Sequence, residues 1–145
     1  MSRRKVLIIL VLLFVIALFY TGADALAVEI KMKPAVPDTE ARGLVTIKDA
    51  PRVPSDRLLI VDVRGLRPDS VYSVWLVDKD TGNRTPAGLT GQNHFRTDPS
   101  GYAHYTDHTD RYKLDHNTLE VAFHPDGDPG NTVDIVVVLT APLHP

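Results

Sequence analysis

From residue 41 onward, apolar and polar residues alternate with a period of two in one short run after another, with turn residues between the runs. Residues 41–49 form the first clear run. In 57–66, Leu59, Val61 and Val63 share one face. In 71–80, Tyr72, Val74 and Leu76 lie on one face and Trp75 and Val77 on the other, the mark of a strand covered on both sides. Residues 87–91 read as a short strand or bulged segment. In 119–125, Leu119, Val121 and Phe123 point inward while Glu120 and His124 point outward. In 132–143, Val133, Ile135, Val137 and Leu139 point inward. No segment after residue 40 keeps a 3.6-residue apolar period over three turns. Seven or eight short strands, with turn signals about every 8 to 12 residues, predict an all-β fold over 41–145: an antiparallel, immunoglobulin-like β-sandwich. Residues 28–40 carry two prolines and read as a linker or a loosely held first strand.

The N-terminus follows a different pattern. Arg3, Arg4 and Lys5 precede an unbroken apolar run of fifteen residues, Val6 to Tyr20, and small residues follow at Ala25 and Ala27. Residues 1–27 therefore read as a signal peptide cleaved after Ala27, or as a retained membrane anchor. Fifteen residues of helix rise only ~22 Å, short of the ~30 Å hydrocarbon core, which favours cleavage. If the segment is retained, residues 6–20 are the membrane contact. Either way the basic flank stays inside and the domain is extracytoplasmic, secreted or held at the outer face of the cytoplasmic membrane.

The chain of 145 residues carries a formal charge of −2 and no cysteine. Near-neutral charge without a basic stripe gives no nucleic-acid surface. The lack of cysteine excludes disulfides, thiolate metal sites and a cysteine nucleophile.

Candidate chemistry concentrates in 94–110, HFRTDPSGYAHYTDHTD. Asp98, Pro99, Ser100 and Gly101 have the residues of a type I turn closed by a left-handed glycine. A hairpin over that turn pairs Phe95 with Tyr105 and His94 with Thr106. It places Phe95 and Tyr105 toward the core, and His94, His104 and His108 on one polar face. His104 and His108 sit ~13 Å apart on an extended strand, too far to share an ion. His94 is diagonal to both. A copper or zinc site at His94 with His104 or His108, completed by Asp107 or Asp110, is the alternative to a solvated face.

Other clusters read as structure. DKDTGN at 78–83 and DGDPGN at 126–131 are turns rather than calcium loops. Ser70, Ser73 and Ser100 have no evident histidine partner, and no nucleophile elbow, HExxH or phosphate loop is present. No enzymatic activity and no resident cofactor is expected.

Gly65-Leu66, Tyr72, Trp75-Leu76, Gly88-Leu89, Asp98 and Gly101 fall in a pattern over residues 57–143 that resembles the extracytoplasmic C-terminal β-sandwich domain of anti-sigma-K type regulators. Those regulators carry a cytoplasmic sigma-binding domain before the membrane segment, whereas five residues precede the apolar run here, so sigma binding is not carried over. The resemblance implies a non-enzymatic binding or structural module at the bacterial cell envelope, whose partner is an envelope protein or surface component. Mass spectrometry of the exported protein is expected to find Val28 at the N-terminus. An intact Met1 would identify an anchor.

Overall fold

The computed structural model describes residues 27–37, 39–50, 56–114 and 117–143. The expected signal segment with Ala25, and residues 51–55, lie outside the described residues. Nine strands follow in order: β1 Val28–Pro34, β2 Arg42–Asp49, β3 Asp56–Arg64, β4 Val71–Asp78, β5 Arg84–Pro86, β6 His94–Arg96, β7 Ala103–Asp110, β8 Asn117–Phe123 and β9 Val136–Pro142. One helical turn, α1 Arg111–Leu114, separates β7 from β8. Every strand pairing is antiparallel, and the strands join in one curled sheet of order β5-β4-β8-β9-β1-β2-β3-β7, with β6 beside β5 on the free edge of β4. The fold is all-β, as the alternation requires.

The alternating runs become the core. Val45, Leu59, Val61 and Val63 come from one half of the curl. Tyr72, Val74, Leu76, Leu119, Val121 and Leu139 come from the other, and all are buried in one cluster. Fully burying each such aliphatic side chain contributes about 1.5–3 kcal/mol.

Strand β1 lies within the stretch read as a linker or loose strand. Ile30 and Met32 turn inward among Glu29, Lys31 and Lys33. Residues 28–32 pair with β2, and Lys33 and Pro34 pair with β9, so this strand joins the two halves.

Two expectations are corrected. The first concerns β9. It starts only at Val136, and Val133 is 86% exposed. A bulge between Val121 and Ala122 pairs them with Leu139 and Val137, skipping Val138. Five consecutive apolar residues, 135–139, carry no alternation, so the pattern cannot reveal which one is skipped.

The second concerns the 94–110 hairpin. Its turn forms: Asp98 donates its N–H to Tyr102 O at 2.9 Å, Gly101 donates to Asp98 O at 3.0 Å, and Gly101 has φ 79°. The strands beyond it part. β6 pairs with β4, setting Phe95 against Tyr72 and His94 against Ser73, while β7 pairs with β3. The turn is thus an arch from one half of the curl to the other. It lies beside a second arch, 65–70, which carries the chain from β3 to β4.

Backbone hydrogen bonds sew the arches together: Leu66 N–H to Gly101 O at 3.2 Å, Asp69 N–H to Asp98 O at 3.3 Å and Thr97 N–H to Ser70 O at 3.0 Å. The buried Thr97 hydroxyl accepts from Ser70 N–H at 3.0 Å and donates to Arg67 O at 2.6 Å. Gly101 has no room for a side chain, since a Cβ there would clash with Leu66 O.

The free edges of the curl, β4 with β5 and β6 on one side and β7 on the other, are bridged by the loop 87–92. Leu89 N–H donates to His108 O at 2.8 Å, and Thr90 Oγ1 donates to Asp107 Oδ2 at 2.5 Å. Gly88 is needed where this loop crosses the buried Asp107 carboxylate, because a Cβ would clash with Asp107 Oδ2. Thr97→Val keeps the shape and strips both side-chain hydrogen bonds from the arches. It is expected to lower the unfolding free energy by about 2–3 kcal/mol in urea titrations, with little change in slope.

Candidate functional site

The histidines separate. His104 and His108 stand on the exposed outward face of β7, with Thr106 between them. That strand runs unbroken, so ~13 Å of extended chain divides them. His94 is on β6, across the opening of the curl. Asp107, offered as a completing ligand, points the other way and is buried at 7% exposure. His104 Nδ1 is 2.7 Å from Asp62 Oδ1, which also accepts from Tyr102 OH at 3.0 Å. Among the described residues no three metal-ligating side chains converge. The His94 diagonal depended on a hairpin register that does not form.

The acidic turns behave as turns. Asp78 Oδ1 accepts the N–H groups of Asp80 and Thr81. Asp126 accepts from Asp128 N–H and Asn131 Nδ2, and the Asn131 hydrogen bond leads the causes that hold its carboxyl below the usual range.

His124 was expected outside and is 1% exposed. Its Nε2 lies 2.7 Å from Ser73 Oγ, which Trp75 Nε1 also approaches at 2.6 Å. An indole N–H only donates, so Ser73 accepts from Trp75 and is free to donate to His124. Sequence reasoning missed this pair because His124 follows the last alternating residue of β8 and precedes Pro125. The arrangement is a buried polar relay rather than a nucleophile: Ser73 has no exposure, and His124 Nδ1 has no orienting acid among the described residues.

What the fold does open is a cleft at the arch end of the curl, of about 430 Å³. Ala41, Leu66, Tyr72, Phe123, Val136 and Val138 line it. The skipped residue of the β9 bulge, Val138, thus faces the cleft, and Val136 is 43% exposed at its rim. Two polar groups attend the apolar wall. The Arg67 guanidinium lies 4.9 Å over the Phe123 ring and has no carboxylate partner among the described residues. The Tyr72 phenol accepts Arg67 N–H at 3.0 Å and keeps its own proton to give, since burial pushes its pKa above the ordinary value. The 65–70 arch carries Arg67 and leads directly into Tyr72 on β4. Nothing in the alternation marked Arg67 or Val138; the only trace was apolar residues out of phase with their strands.

No family model, curated protein or solved structure matches this chain. Ser73→Ala strands the indole N–H and the imidazole nitrogen in the interior. It is expected to cost about 2–4 kcal/mol in chemical denaturation, and a fluorophosphonate probe is expected to leave native Ser73 unlabelled.

Proposed function

We propose that this protein is an exported, non-enzymatic binding module of the bacterial cell envelope. The two halves of its curled sheet serve as the facing layers of an immunoglobulin-like β-sandwich, and its ligand enters the cleft at the arch end. The observation that carries this reading is the cleft itself. Concave, largely apolar sites of about 300–1,000 Å³ with a few placed polar groups are where small molecules and inserted side chains bind. An apolar wall of Val136, Val138 and Phe123 beside one guanidinium without a carboxylate partner among the described residues, and one phenolic donor, fits an apolar body with an acidic head. An envelope surface component, or a partner protein offering such a group, meets that description. Export is supported by the basic and apolar N-terminal segment ending at Ala25 and Ala27, and by the resemblance to extracytoplasmic regulator domains.

Anilinonaphthalene sulfonate has an apolar body and an anionic head. Its fluorescence is expected to rise saturably with the exported protein, and Val136→Glu is expected to weaken binding at least tenfold at unchanged melting temperature. Absence of saturable binding by the wild-type protein would remove the cleft reading.

A further inference from the structure

A second feature lies on the outward face of β1, β2, β3 and β7, independent of the cleft. The strand register sets Lys31, Leu44, Asp62 and His104 in one row across four strands. In the next row Arg42 stands directly opposite Arg64. Like charges facing across neighbouring strands are destabilising, and a sheet face ordinarily relieves them with a nearby carboxylate. Here none does so. Lys31, Arg42 and Arg64 are exposed, and none has an ion-pair partner among the described residues. The one carboxylate in the row, Asp62, turns its Oδ1 to Tyr102 OH and His104 Nδ1. The three cations, Asp62 and Tyr102 line a groove of about 520 Å³, floored by Leu44.

We infer that this groove binds a phosphate group. Directly opposed residues in an antiparallel pair have Cα atoms about 4.5–5.5 Å apart, so the forks of Arg42 and Arg64 can close on one tetrahedral anion from two sides. Each planar guanidinium presents paired N–H donors that match two phosphate oxygens, which an ammonium does not. Lys31, in the neighbouring row, adds a point charge. Three cations suit a doubly charged, four-oxygen group better than a carboxylate, which one fork already satisfies. The groove has room for the body that carries the phosphate, with the Tyr102 ring at its edge.

The test uses inorganic diphosphate titrated into the isotopically labelled exported protein at constant ionic strength. Saturable amide shifts are expected at Lys31, Arg42, Arg64 and Tyr102, together with a rise in melting temperature. In Arg42→Gln/Arg64→Gln the affinity is expected to fall at least tenfold. Removing the opposed charges is expected to leave the unliganded melting temperature the same or higher, so loss of binding will not reflect unfolding. Arg64→Lys, which keeps the charge and loses the fork, is expected to weaken binding several-fold. Shifts confined to the groove, with co-sedimentation on phosphatidylglycerol vesicles, identify a lipid headgroup as the source. The same shifts without co-sedimentation identify a soluble phosphate ester. Non-saturable shifts scattered over all lysines and arginines, or equal affinity in the double variant, overturn the inference and leave the cleft reading untouched.

Discussion

The molecule depends on the seam between two arches. Residues 65–70 and 97–101 each carry the chain from one half of the curled sheet to the other, and each supplies the other's missing hydrogen bonds. Buried backbone amides must find partners. At these crossings a regular ladder cannot provide them, so the arches bond to one another and to the Thr97 hydroxyl. The close approach is what excludes a Cβ at Gly101. With the seam in place, β6 must fall on β4 and β7 on β3. Phe95 then stacks on Tyr72, with ring centroids 5.7 Å apart, and still meets Tyr105 at 6.3 Å. The aromatic cluster therefore fills the interior at the same end as the cleft.

The alternation was legible where strands bury one face or are covered on both. β2, β3, β4 and β8 stand within a few residues of where it placed them, and Leu59, Val61 and Val63 are buried as read. The hairpin was misread because the local chemistry of Asp98, Pro99, Ser100 and Gly101 is satisfied equally by a hairpin and by an arch. Asp98 Oδ1 accepts from Ser100 and Tyr102 in either case. Which strand lies beyond the turn is a tertiary decision, and Phe95 and Thr97 make it through contacts 23 to 30 residues away in sequence. β1 did carry a period-two signal in Val28, Ile30 and Met32, but the prolines after it masked the run. In the site, the outward histidines of β7 were legible and the cleft was not, because a cleft is made by residues that break the pattern.

Polar groups inside the fold cluster where the sheet stops being regular. Asp107 and Thr90 sit at the closure between the free edges, with the Tyr105 phenol 3.5 Å from the same carboxylate oxygen; burial, ahead of that carboxylate, pushes the Tyr105 pKa well above its ordinary value. Trp75, Ser73 and His124 sit on the outward side of β4, where Arg84 reaches across to Glu120 at 3.1 Å and covers the strand. A satisfied buried network such as that of Asp107 favours one arrangement; the Trp75–Ser73–His124 relay leaves His124 Nδ1 without a partner among the described residues. Both lie where strand pairing alone leaves the register open: the edge bridged by a loop, and the short strands β5 and β6 laid end to end along β4.

Strand β3 and the arch that follows it supply one cation to each surface, Arg64 to the groove and Arg67 to the cleft. Asp62 and Arg64 face outward by simple alternation and belong to the polar groove. Three residues beyond Arg64, past the left-handed Gly65 at φ 70°, Arg67 has swung around the end of the sheet to the mouth of the cleft. In a strand continued without a turn, residues 64 and 67 would face opposite sides of the sheet. Here the arch sets Arg67 over Phe123 and ties its N–H to Tyr72. The seam that holds the halves together therefore also divides the positive charge into two sites of different character. One guanidinium stands against an apolar wall, and two stand in the open on a polar face. The division follows from backbone geometry at a single turn, so a one-residue shift in the arch would carry Arg67 away from Phe123 while the Arg42–Arg64 row, set by the β2–β3 pairing, stayed in place.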